Sequence, residues 1–351
     1  MSTPRPVGGW QEQVEDVARA TLPPVVFDYL TQGARDGVAA AEAEGWAEVR
    51  FAPHVLRDVT DVNLSGTLLG TKTSAPWGVA PTSLQRAVHP DGELAMAAAC
   101  RDAGVPMVVS SNAGTTFEEI GATGVTWWLQ VYLPADRTLA VPLLERAVAA
   151  GAGAVVLTVD TPVVGTKYVE ASIWNEVDPG LVRVNFDPGY DLTAGSEKAL
   201  DLGPHDLGWL GALTGLPVVV KGVLRGDDAR RSLEAGAAAI WVSNHGGRQL
   251  DRAVRTRDAL PEVAEEVGGA VPVIVDGGIR SGLDVLAALA LGADAAFLGR
   301  LPVLALAQGA PGVSDLLARL HDEVLESFRL SGCRRVADTR GIAVPLGTKR
   351  L

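Results

Sequence analysis

The run Ser243-Asn244-His245-Gly246-Gly247-Arg248-Gln249-Leu250-Asp251 places an imidazole, two residues without side chains and a guanidinium side by side. An imidazole takes or gives a proton near neutral pH, and a guanidinium grips a carboxylate through two parallel hydrogen bonds. The intervening glycines let a small ligand approach the main chain. A second cation, Lys221, ends the apolar run Val218-Val219-Val220. Two further segments, Asp276-Gly277-Gly278-Ile279-Arg280 and Gly299-Arg300, combine glycine N–H groups with arginines. That combination suits a phosphate held beside a helix N-terminus, so a phosphorylated ligand is expected; the competing reading is glycine turns with surface arginines.

These residues need a frame that brings them together. Short Val/Ile/Ala-rich runs alternate with segments of helical period, the pattern of βα units around a parallel sheet. Eight runs read as strands, at 77–83, 105–111, 126–132, 154–160, 217–223, 237–244, 271–276 and 295–299. Helices are expected at 92–103, 138–150, 227–235, 256–267 and 281–291, several closed by a glycine (Gly104, Gly151, Gly236, Gly292). Eight strands, apolar throughout, predict a closed (β/α)8 TIM barrel with an N-terminal helical extension. A doubly wound sheet is the alternative, disfavoured because no GxGxxG follows the first strand. In a barrel, reactive groups sit at the C-terminal strand ends. Ser83, Ser110, Ser111, Gln130, Tyr132, Thr158, Asp160, Lys221, Ser243, His245, Asp276, Arg280 and Arg300 all fall there.

The chain of 351 residues divides into a helical preface (1–70) over one barrel mouth, the barrel (71–310) and a C-terminal helix with tail (311–351), all one domain. Residues 165–207, rich in Asp, Gly, Pro and Asn, read as a long loop or lid. With 42 Asp+Glu against 30 Lys+Arg, the net charge of −12 argues against a nucleic-acid or anionic-membrane surface. No signal peptide or run of 18 apolar residues is evident, so a cytoplasmic protein is expected. Cys100 and Cys333 are too few for a disulfide framework, and the five histidines never recur at metal-ligand spacing, so no metal is expected.

The nine-residue histidine segment, with Lys221, resembles the FMN-dependent 2-hydroxy acid oxidases and dehydrogenases. The resemblance runs from about Leu22 to Cys333. It takes in Phe27-Asp28-Tyr29, Ala80-Pro81-Thr82, His89-Pro90-Asp91-Gly92-Glu93, Gln130-Val131-Tyr132, Leu157-Thr158-Val159-Asp160-Thr161-Pro162, Val220-Lys221-Gly222, Asp276-Gly277-Gly278-Ile279-Arg280, Leu298-Gly299-Arg300 and Ser331-Gly332-Cys333. It implies bound FMN, a small 2-hydroxy acid substrate, O2 or another electron acceptor, and a homo-oligomer, commonly a tetramer.

It further implies that His245 is the base, with Asp160 stabilising its imidazolium, and that Lys221 faces the flavin ring where reduction builds negative charge. Ala80, Pro81, Ser83, Ser110, Gln130, Thr158 and Ser243 match flavin-side positions, and Asp276, Gly277, Gly278, Arg280, Gly299 and Arg300 the remainder of the cofactor site. Arg248, Tyr29 and Tyr132 match the substrate site, Tyr132 also being counted with the catalytic set. Three positions depart from the family pattern. Gly165-Thr166-Lys167 replaces a Gly-Arg-Arg, leaving Lys167 as the substrate-site cation; Asn112 replaces a tryptophan of short-chain members; Ser83 replaces an alanine or glycine. These departures keep open an amine or a larger specialised-pathway substrate, and either oxidase or dehydrogenase chemistry.

Overall fold

A computed structural model describes residues 9–168, 173 and 176–344, the side chains of 41–44 aside. The N-terminal ends of 1–70 and the last seven residues of the expected tail lie outside the described residues, as do 169–172, 174 and 175 of the expected lid.

Eight apolar runs with no polar face must bury both sides, and they do so by closing on themselves. After α1 (Trp10–Thr21) and α2 (Pro24–Thr31), strands β1 (Trp77–Val79), β2 (Met107–Ser110), β3 (Trp127–Val131), β4 (Val155–Thr158), β5 (Val218–Val223), β6 (Ala239–Val242), β7 (Val273–Val275) and β8 (Ala295–Leu298) pair in chain order. All neighbours are parallel, and β8 pairs with β1 through Phe297 opposite Gly78, so the barrel is closed. Every expected strand is present but shorter, because the main chain leaves the hydrogen-bonded ladder early to enter the loops that carry the polar residues.

Around the barrel lie α3 (Gly92–Ala103), α4 (Phe117–Ala122), α5 (Val141–Ala149), α6 (Pro204–Thr214), α7 (Gly226–Glu234), α8 (Thr256–Val267), α9 (Gly282–Ala290) and α10 (Gly309–Ser331). Two differ from expectation. The short α4, with a Thr116/Glu119 capping box, falls in a stretch too brief to show a period. Helix α6 starts at Pro204, inside the expected 165–207 loop, where proline is tolerated in the first helical turn. The stretch Arg300–Ser331 is long and apolar enough to cross a membrane, yet Val313, Leu316, Leu320, Val324 and Phe328 of α10 are buried within the protein.

The barrel interior holds Val108, Trp128, Val156, Val219, Trp241, Ile274 and Phe297, all buried. Phe297 stacks on Trp128 with ring centroids 5.7 Å apart and packs against Trp241 at 4.6 Å. Glycine at 78 is required opposite: a Cβ there would sit 2.6 Å from the Phe297 ring and from the Pro106 carbonyl. The preface serves both mouths, not one. The hairpin Gly66–Leu68/Thr71–Thr73 sends Leu68 and Leu69 into the interior cluster below β1, whereas α2 stands at the opposite mouth.

Candidate active site

Side chains along a strand alternate between two faces, so the residue two positions beyond each interior apolar residue also points inward, one layer higher. Two positions beyond Gly78, Val108, Trp128, Val156, Val219, Trp241, Ile274 and Phe297 stand Ala80, Ser110, Gln130, Thr158, Lys221, Ser243, Asp276 and Gly299. The barrel therefore changes from an apolar core to a polar floor in a single step at its C-terminal mouth. Above that floor opens a cavity of about 1590 Å³, large even for a cofactor site.

His245 follows β6. Three successive residues, His245 (φ 58°), Gly246 (63°) and Gly247 (72°), take left-handed conformations. Asn244 Oδ1 accepts from the Gly246 N–H at 3.1 Å, and Ser243 Oγ accepts from the His245 N–H at 3.1 Å, which holds the turn. The imidazole Nδ1 lies 3.0 Å from Asp160 Oδ1, and Thr161 Oγ1 donates to the same carboxylate oxygen at 3.0 Å. Burial pushes the Asp160 carboxyl up, but the charge of His245, its hydrogen bond and Lys221 together outweigh this and hold it below the ordinary range. Asp160 is a positioning residue: it lies behind His245 and does not line the cavity. Gly222 (φ 114°) makes room for it, since a Cβ there would meet Asp160 Cβ at 2.7 Å.

Lys221 is 4% exposed. Its ammonium donates to Ser243 Oγ at 2.8 Å and pairs with Asp276 Oδ2 at 2.9 Å. Ser243, expected to touch the cofactor, stands in the floor beside Lys221. It is fully buried and absent from the cavity wall, its hydroxyl committed to Lys221 and to the His245 N–H.

On the other side of the cavity, Arg248 donates through Nη1 to the carbonyls of Tyr29 (2.7 Å) and Gln32 (2.9 Å), and its guanidinium lies 4.8 Å from the Tyr29 ring centre. Helix α2 thus fixes the arginine, and no hydrogen bond among the described residues uses its Nη2 or Nε. Tyr132 faces the same space; burial, then Asp160 and Tyr29, push its phenol up, so it stays a hydrogen-bond donor. Lys167 lines the cavity, but its ammonium donates to the Gly165 (2.6 Å) and Arg248 (2.5 Å) carbonyls. It bolts the loop after β4 to the segment bearing Arg248, a use not evident from its residue type. Burial and then Arg248 bring it down to about 8.

Sequence reasoning missed two cations on this wall, Lys198 and Arg183. Arg183 Nε donates to Asn112 Oδ1 at 3.0 Å and its Nη1 pairs with Asp191. Neither lies in a segment with a period that would aim it.

At the closing edge, Gly277 (φ 89°) and Gly278 (φ 81°) lead into α9, and Gly299 has open space where a Cβ would stand. Arg300 reaches over from the end of β8 to the Gly246 carbonyl (3.2 Å). Burial, then the neighbouring Arg248 and Arg280, bring Arg300 down to about 10 against the smaller opposing pull of Glu15 and Asp276, so it stays charged at neutral pH. The Arg280 guanidinium is also engaged by Glu15 of α1 at 2.6 Å, which keeps part of its charge from the cavity.

These residues fit the FMN that the resemblance implies. Buried Gln130 Nε2, Thr158 Oγ1 and Asp276 Oδ1 have no hydrogen-bond partner among the described residues, and all three residues line the cavity. Such atoms are costly unless a polar ligand meets them. Ala80, Pro81, Ser83 and Ser110 line the same space, and the arginine and glycine edge is where a phosphate would be neutralised.

Comparison with known proteins agrees. A family model described as FMN-dependent dehydrogenase matches residues 18–344. Glycolate oxidase of Spinacia oleracea is 41% identical over 345 residues, covering 93% of this chain and 92% of that one. 4-Hydroxymandelate oxidase of Amycolatopsis orientalis is 40% identical over 347 residues, covering 95% and 97%. The crystal structure of mandelate oxidase with 3,3-difluoro-2-hydroxy-3-phenylpropionic acid superposes with a TM-score of 0.89 at 39% identity, covering 96% of this chain and 99% of that one. A closed barrel whose polar floor, lysine and arginine edge suit a flavin phosphate, matched over nearly its whole length, places the chain in the FMN-dependent dehydrogenase family.

Proposed function

We propose that this enzyme oxidises a 2-hydroxy acid to the corresponding 2-oxo acid and delivers the electrons to molecular oxygen. The observation that carries the reading is the His245–Asp160 pair, 3.0 Å apart, opening into the same cavity as the unused edge of Arg248. A base beside a carboxylate anchor is what a hydroxy acid requires. The relatives, named as oxidases of glycolate, 4-hydroxymandelate and mandelate, support both the substrate class and the acceptor.

Bound FMN supplies the two-electron acceptor; Lys221 and the polar floor are the residues that would hold its ring, and Arg300 with Gly277 and Gly278 its phosphate. Arg248 holds the substrate carboxylate through its free edge, with Tyr29 and Tyr132 beside it. That leaves the 2-carbon toward the polar floor and the hydroxyl toward His245. As the C–O bond becomes C=O, the substrate gives up two electrons and two protons: His245 receives one proton at Nε2, and the other leaves with the electron pair for the acceptor. Asp160 compensates the charge that appears on the imidazole.

The test is anaerobic mixing of the holoenzyme with hydroxy acids and amines of increasing size, followed by air. Bleaching by a hydroxy acid and rapid recolouring in air are expected. His245→Ala should keep its flavin and bleach about a hundredfold more slowly or worse. Bleaching by amines alone, or normal bleaching by His245→Ala, would overturn the reading.

A further inference from the structure

The backbone around Lys198 is fixed to the strand that carries Tyr132. The Ala135 N–H donates to the Glu197 carbonyl at 2.7 Å, and the Ala199 N–H to the Leu133 carbonyl at 2.9 Å, with a β-bridge between Pro134 and Lys198. Ala199 is buried, which pins this end of the loop. The Lys198 ammonium consequently stands 3.9 Å above the Tyr132 ring centre, in the cavity wall. Among the described residues, no carboxylate, carbonyl or hydroxyl accepts a hydrogen bond from it.

The charges of the cavity make that isolation informative. Lys221 is matched by Asp276, Arg183 by Asp191, and the Asp160 charge by His245. Arg280 is matched by Glu15, and Arg300 faces the edge suited to a phosphate. Arg248, Lys167 and Lys198 have no carboxylate in ion-pair contact among the described residues; Asp160 acts on Lys198 only at longer range, and its charge is already engaged by His245 and Lys221. The other lining carboxylates, Asp28 and Glu176, belong to exposed residues. A simple hydroxy acid brings one negative charge, which Arg248 takes, and Lys167 spends its hydrogen bonds on carbonyls. Lys198 is left over, half-buried in a protein of net charge −12 that has acidic residues in surplus elsewhere. Burial brings it down to about 8, so it is still mostly charged near pH 7. An anion beside it would relieve that cost.

We propose that Lys198 is a specificity residue whose ammonium receives a second negative charge on the substrate, so that the preferred 2-hydroxy acid is a dianion carrying an acidic group on its side chain. This rests on the hydroxy acid reading above.

The experiment compares malate with 2-hydroxybutyrate, and 2-hydroxyglutarate with 2-hydroxyvalerate, by anaerobic flavin bleaching in wild type, Lys198→Met and Lys198→Arg. It also measures binding of unreactive glutarate and butyrate through the bound flavin's absorbance. Wild type should favour the dianions. Lys198→Met should lose roughly 10–100-fold in kcat/KM on the dianions, as expected for a lost charge-assisted hydrogen bond, with less than about threefold change on the monoanions. Lys198→Arg should restore most of the preference, and glutarate binding should follow the same order.

Bleaching by hydroxy acids without a Lys198-dependent preference overturns this inference alone. Lys198-dependent glutarate binding with no bleaching by any hydroxy acid upholds the anion site and overturns the substrate reading. Failure of both measurements overturns both.

Discussion

Replacing Asp160 by asparagine tests the step on which the proposed chemistry turns. The amide oxygen of asparagine still accepts from the imidazole Nδ1–H, so the ring keeps its aim while the charge 3.0 Å behind it disappears. The side chains are 14% (Asp160) and 22% (His245) exposed, so bulk-water screening is only partial. An opposite charge so placed, partly screened, is worth about 1.4–4 kcal/mol to the imidazolium that forms as the proton is taken. If that charge is fully developed in the transition state, flavin bleaching slows by about 10–1000-fold. Stopped-flow bleaching across pH measures this, and substrate affinity should change by less than about threefold, because Arg248 is untouched. The Asp160 carboxyl lies below its ordinary value because His245 and Lys221 outweigh the effect of burial. Its contribution to stability is therefore present above that value and lost as pH falls through the folded one, so the difference in Tm between wild type and variant should close on acidification. A rate within threefold of wild type would refute the pairing as the source of base strength.

Two further outcomes follow from the geometry. Arg300→Gln should weaken FMN binding by roughly 10–100-fold while leaving riboflavin binding nearly unchanged, measured by quenching of flavin fluorescence, because the proposed function assigns Arg300 to the phosphate, which riboflavin lacks. Gly247→Ala would place a Cβ 2.2 Å from the Ala40 nitrogen at φ 72°, so a lowered Tm and a loss of about 1–3 kcal/mol or more are expected in denaturant titration; an unchanged Tm would show that residues 38–41 can retreat at no cost.

Much of this site was legible because a barrel strand is a ruler. Once the eight apolar runs are set, polar residues at their ends must gather at one mouth, and Ser110, Gln130, Thr158, Lys221 and Asp276 did so. The ruler does not distinguish lining from backing. Ser243 has the same phase as Lys221, yet it is absent from the cavity wall because Lys221 and the His245 N–H both claim its hydroxyl. Residue type is also silent on what a charge does within the protein: Lys167 and Arg280 line the cavity, yet Lys167 serves carbonyls and Arg280 engages Glu15, from a helix distant in sequence. Lys198 had no phase at all. Its place comes from main-chain pairing with residues 133–135, which nothing in the composition of the loop foretells.

The antiparallel pairing of Arg50–Phe51 with Ala343–Val344 has a bearing on how the molecule is made. The first helices supply the Tyr29 wall, and α1 is tied late in the chain as well, through Trp10 to Glu323. A ribosome emitting the protein from its amino end releases these pieces long before their partners exist. The barrel under the cavity can close only once β8 has emerged to pair with β1, and the ties of Arg50–Phe51 and of Trp10 form later still, so the amino-terminal wall is the last part of the frame to be fastened.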